Sequence, residues 1–151
     1  MKICWYEDDD LKIAFDKTPV LNVRFILPWM NNEQIKDINK KPFICCEDLQ
    51  VTLIDKIEQD VYEFKIPSGY AWDGATIPRV FWRLIGSKTD NKFLVPSLIH
   101  DVLCENHHYI DSNRYFSTMV FERLLYVSSL NPLSRWVIKH SVDNFQKFCG
   151  W

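Results

Sequence analysis

His100 and Asp101 stand side by side inside an apolar stretch, Leu98-Ile99-His100-Asp101-Val102-Leu103. An imidazole can take up a proton near neutral pH, and a carboxylate can hold a hard cation or orient a base. Helical neighbours point about 100° apart, so the two cannot pair face to face. They can serve one cavity from two directions, His100 as base and Asp101 on a cation. The plainer alternative is a helix edge with a solvated Asp101 and a hydrogen-bonded His100. The third candidate is Asp73, within Gly69-Tyr70-Ala71-Trp72-Asp73-Gly74-Ala75-Thr76-Ile77-Pro78-Arg79. Two glycines and a proline in that run describe a tight bend that can aim a carboxylate into a cavity. Its plainer alternative is an ordinary Asp-Gly turn, with Asp73 bonding its own backbone.

His100, Cys104 and His107 or His108 share a helical face, which admits zinc if Asp111 supplies a fourth ligand. The spacing matches no standard zinc motif. There is no G-x-S-x-G elbow and no phosphate loop.

The elements that must position these groups fall into a β-rich first part, residues 1–68, and a loop-and-helix part, residues 69–151, of one domain. Leu21 to Leu27 is rich in β-formers. Gln50 to Ile54 and Val61 to Ile66 alternate polar and apolar residues around a polar turn, Asp55 to Asp60. A small antiparallel sheet of three or four strands is expected. Pro78 to Leu84 predicts a short helix. A second should run from a cap at Thr89 or Asp90 to Glu105, with Pro96 marking its true start. Asp111 or Ser112 can cap a third carrying Tyr115, Met119, Leu124 and Val127. Asn131-Pro132 opens a last one with Leu133, Trp136, Val137, His140 and Phe145. Strands followed by three to four helices argue α+β.

Composition narrows the function classes. The 151 residues carry a formal charge of −2 without a basic stripe, which argues against a nucleic-acid partner. Lys40 and Lys41 read as a solvated loop. No apolar run is long enough for a membrane span, and the acidic Met1–Asp10 segment does not read as a secretory signal. Five cysteines in no disulfide pattern point to reduced thiols, with Cys45 and Cys46 as strand residues. Six tryptophans are many for one small core, and some are expected at an interface.

The Gly69–Arg79 loop, then Phe81-Trp82, Leu84-Ile85-Gly86 and His100-Asp101, resemble the phage and prophage family called domain of unknown function 1353. The resemblance covers roughly Asp60 to Leu125 and implies a phage or prophage origin. More distantly, an Asp-Gly loop, Phe93-Leu94-Val95-Pro96 and then His-Asp resemble the phospholipase A2 layout. That similarity implies a helix pair, His100 as the base that activates water, and calcium on Asp101 with Asp73 or loop carbonyls. The sequence departs from the layout at two places. Cys104 stands where the superfamily has Tyr, and Thr118, three residues before Phe121, stands where it has the Asp that orients the His. Ala75 and Ser97 lie near the places of its disulfide cysteines.

Two functions follow as expectations. One is a non-catalytic phage protein attached to the tail or neck of the virion, in the virion or the host cytoplasm, with other virion proteins as partners. The other is a calcium-dependent phospholipase or esterase acting at a lipid surface, with Val80, Phe81, Trp82 and Leu84 as an apolar rim or as core beneath the loop.

Overall fold

The computed structural model describes residues 2–74, 94–110 and 113–127, together with Pro132, Leu133, Trp136, Val137, Lys139 and His140. The expected Pro78–Leu84 helix, the caps at Thr89, Asp90, Asp111 and Ser112, the apolar rim and Phe145 lie outside the described residues.

The chain opens with a hairpin, β1 (Ile3–Glu7) and β2 (Leu11–Phe15), which the sequence reading did not anticipate. β2 alternates Leu11, Ile13 and Phe15, all 0% exposed, with Lys12 turned outward. It continues into β5 (Leu49–Asp55) and β6 (Asp60–Ile66), so one antiparallel sheet runs β1-β2-β5-β6. The expected β5–β6 hairpin is present, in register from Asp55↔Asp60 to Leu49↔Ile66. Its turn is closed by Asp55 Oδ1, which accepts the Ile57 and Glu58 N–H groups at 3.0 and 3.2 Å.

A second sheet, β3-β4-β7, joins β3 (Leu21–Val23), β4 (Phe43–Cys45) and β7 (Ala71–Trp72). The described residues thus hold seven strands in two sheets rather than one sheet of three or four. The strand expected from Leu21 to Leu27 stops at Val23, whose partner Phe43 begins β4; one further bond, from the Arg24 N–H to the Pro42 carbonyl at 2.7 Å, precedes the turn at Leu27–Met30. α1 (Asn32–Lys40) was also unexpected, although its signal stands in the sequence as a capping box. The Asn31 side chain accepts the Gln34 N–H at 2.9 Å, and Gln34 reaches back to the Asn31 N–H at 3.0 Å. Lys40 closes this helix and Lys41 caps it, so the pair ends a helix instead of forming a loop.

α2 (Val95–Glu105) starts where Pro96 marks it, and its residues from Val95 to Leu103 are all buried. A helix buried on every side lies in the middle of a fold. α3 (His107–Ile110) is a single turn, and α4 (Arg114–Val127) packs on α2 and on the first sheet, where Phe116 meets Tyr62 at 4.8 Å. Strands followed by helices make the fold α+β. No described helix is long and apolar enough to cross a membrane.

Asp8, in the β1–β2 turn, ties the first hairpin to α4. It accepts the Tyr6 hydroxyl at 2.7 Å, the Asp10 and Leu11 N–H groups at 2.7 and 2.8 Å, and Arg123 Nε at 2.8 Å. Burial pushes the Asp8 carboxyl up, but these donors together hold it well below its ordinary value of 3.8. A carboxyl lowered in the folded state adds stability that is present above the unfolded value and lost as pH falls toward the folded one. Asp8→Asn is therefore expected to cost about 1–3 kcal/mol at neutral pH. The gap from the natural chain should shrink below about pH 4, read by urea denaturation across pH.

Candidate functional site

β7 sets the loop. Trp72 is 0% exposed, with its indole N–H on Ser97 Oγ of α2 at 3.0 Å and its ring 5.7 Å from Phe43. Asp73 and Gly74 follow immediately. Gly74 has φ +67°, and a Cβ there would lie 2.2 Å from Phe43 Cε2. Glycine is what this position admits, both for its conformation and for the close approach of the Phe43 ring.

This bend brings the loop onto α2. The Asp101 carboxyl accepts the Gly74 N–H and is hydrogen-bonded to the Asp73 carboxyl. Asp73 is exposed and Asp101 is 7% exposed, so the pair runs from solvent into the fold. Two carboxyls in hydrogen-bond contact must share a proton or a cation. Burial first, then Asp73 and Glu105 nearby, hold the Asp101 proton well above the ordinary carboxyl range; the Gly74 N–H acts against them. Asp101 is thus not a solvated residue at a helix edge, because the Asp73–Gly74 bend covers it.

Glu105, one helical turn beyond Asp101, accepts the Tyr70 hydroxyl. Burial and this bond keep Tyr70 protonated far above neutral pH, with Asp101 and Asp73 adding to the effect. Tyr70 and Glu105 belong to the constellation and were missed in the sequence. The available signal was spacing, Glu105 at i+4 from Asp101 on one helical face.

His100 lies deeper. Its side chain is 0% exposed, its Nδ1 is 3.8 Å from Asp101 Oδ1, and its ring meets the edge of Phe121 at 5.3 Å. Cys104 Sγ lies 3.7 and 3.6 Å from the two ring nitrogens. Burial lowers the imidazole to about 4, so it is neutral at neutral pH. Thr118 is on α4, one turn before Phe121, on the helix that packs against His100.

The zinc alternative is not assembled among the described residues. His107 Nδ1 is 2.9 Å from the Cys104 carbonyl and its ring is 4.0 Å from that of His108. No described group of three or more His, Cys, Asp or Glu is arranged to hold a metal, and Asp111 lies outside the described residues. The described cysteines are free thiols.

Fold and site define an α+β protein in which a loop carboxyl closes on a helical carboxyl beside a buried, neutral histidine. The family model described as "Protein of unknown function (DUF1353)" matches residues 49–142, and the chain belongs to that family. A protein of Sinorhizobium fredii described as "Uncharacterized protein y4jT" is 42% identical over 43 residues. The alignment covers 28% of this chain and 13% of that relative's length. No solved structure matches the chain.

Proposed function

We propose that this chain is a non-catalytic bacteriophage protein, attached to the tail or neck of the virion, whose His-Asp constellation is a support for the loop. The observation that carries the non-catalytic part is the state of His100. A general base works best with a pKa near the operating pH, and burial holds this imidazole at about 4. The orienting position is Thr118, which brings no charge to stabilise an imidazolium. The Asp101–Asp73 and Asp101–Gly74 bonds meanwhile give the constellation a structural task. The phage origin rests on the loop and His100-Asp101 resemblance. Exposed aromatics such as Tyr109, Tyr115 and Trp136 offer surface for other virion proteins. A tagged chain should co-sediment with purified virions in a density gradient; recovery only from infected cytoplasm would overturn the assignment.

One observation favours a second reading, a calcium-dependent phospholipase or esterase. Asp73 and Asp101, drawn together, are a pair of oxygen donors of the type a hard cation takes. Calcium there would stabilise a developing oxyanion, and His100 would have to accept a proton from water.

Thermal melts in chelator and in calcium separate the two. His100 is lowered from 6.5 to about 4 on folding, so its contribution is complete above pH 6.5 and is lost as pH falls to 4. Asp101 is raised, so its burial costs stability as pH rises above its ordinary 3.8. The two effects oppose each other above pH 4, and beyond pH 6.5 the cost of burying Asp101 remains while His100 changes no further. In chelator at pH 8, Asp101→Asn should therefore melt above the natural chain. The support reading expects the same order in calcium. The hydrolase reading expects calcium to raise only the natural chain's Tm and ester hydrolysis to disappear in His100→Ala.

A further inference from the structure

Between β3 and α1 the chain runs Phe25-Ile26-Leu27-Pro28-Trp29-Met30, six residues without a charge. Phe25 is 68% exposed, Ile26 50%, Leu27 37% and Trp29 78%. A half-buried strand would hide alternate side chains; here consecutive apolar residues all face water. The shape is built. Met30 N–H donates to the Leu27 carbonyl at 3.1 Å, closing a turn with Pro28 at its second position and Trp29 at its tip. Arg24 fixes the base of the loop: its N–H donates to the Pro42 carbonyl at 2.7 Å, and its guanidinium reaches the Lys41 carbonyl at 3.1 Å and Asp37 at 2.9 Å.

The charge around the loop has its own sign. From Arg24 to Lys41 there are four cationic side chains, Arg24, Lys36, Lys40 and Lys41, against Glu33 and Asp37, in a chain whose formal charge is −2. Asp37 is engaged by Arg24, and Lys36 and Lys40 are exposed on the helix into which the loop feeds. With Asp37 taken by Arg24, Lys36, Lys40 and the C-cap Lys41 stand against Glu33 alone, and an exposed apolar tip beside this cationic surplus complements an anionic bilayer. Aromatic and aliphatic side chains enter the interface, and lysines meet the headgroup charge. A protein partner would have to supply a cavity for this projection, whereas a lipid surface closes around it.

We propose that the Phe25–Met30 loop, with Lys36, Lys40 and Lys41, docks this protein on an anionic lipid surface. The docking uses neither His100 nor the carboxyl pair and goes beyond the function proposed above.

The test is flotation of the full chain with vesicles of phosphatidylcholine and phosphatidylglycerol in equal parts, against phosphatidylcholine alone. The natural chain should float with the anionic vesicles and be released by salt. Phe25→Ala with Trp29→Ala should weaken binding about tenfold or more without lowering the Tm, because both side chains are exposed. Lys40→Glu with Lys41→Glu, which leaves the loop intact, should weaken it and flatten the salt dependence. The proposal is overturned if the chain stays in solution with anionic vesicles, if it floats equally with both compositions, or if both variants bind like the natural chain. A dimer in solution that Trp29→Ala dissociates would overturn it too, by assigning the loop to a second copy.

Discussion

A Gly74→Ala variant is expected to lose about 2–4 kcal/mol of stability and, with it, the contact between Asp73 and Asp101. The added carbon would meet Phe43 Cε2 at 2.2 Å and Cδ2 at 2.7 Å. Phe43 cannot simply turn away, since it is 2% exposed and packed against Trp72. Overpacking of this kind costs about 1–3 kcal/mol, and placing a side chain at φ +67° adds about 1 kcal/mol. Relief can come from movement of the bend itself, which would withdraw the Gly74 N–H from Asp101. Urea denaturation gives the stability. A second readout separates a local from a general effect: with the loop displaced, the pH dependence assigned to Asp101 should weaken even where the variant is still folded. A Gly74→Ala chain with unchanged midpoint and unchanged pH profile would contradict the bend as described.

Trp72→Ala should have an effect as large or larger. Trp72 is among the largest fully buried side chains, and truncation of such a residue costs about 3–5 kcal/mol. It would also remove the indole bond to Ser97 and the ring that backs Phe43. Trp72→Phe isolates the polar part: it retains most of the packing and loses the 3.0 Å bond, which is worth about 1 kcal/mol. The expected order in denaturant midpoint is natural chain, then Trp72→Phe, then Trp72→Ala. If Trp72→Ala melts with the natural chain, β7 does not anchor the loop and the placement of Asp73 needs another cause.

The β5–β6 hairpin was legible because alternation and a polar turn agree over a short distance. α2 was legible because a proline start and a largely apolar stretch agree as well. The first hairpin was missed for a physical reason. Asp8-Asp9-Asp10 reads as a solvated acidic segment until Asp8 is seen to be paid for by four donors, one of them more than a hundred residues away. Leu21–Leu27 was read as too long a strand because composition reports β-propensity, not whether a neighbour exists to bond. The residues alone left Asp73 open between a turn and a cavity, and only the phospholipase A2 resemblance implied a place for it beside Asp101, as a calcium ligand. The burial of His100 and the part of Tyr70 were not anticipated, since both depend on how the loop, α2 and α4 close over one another.

The order β1-β2-β5-β6 bears on what counts as a self-sufficient unit. The family match begins at residue 49, at the first residue of β5. In the whole chain, one side of that strand is bonded to β2 from Leu11↔Asp55 to Phe15↔Val51. A piece cut at the family boundary would present a raw edge of five residues, with Val51 and Leu53 stripped of the hairpin that keeps them dry. Such an edge recruits other chains. The boundary of inherited similarity is therefore not a boundary of autonomy: the first fifteen residues belong to the same cooperative body as the segment that carries the family's motifs.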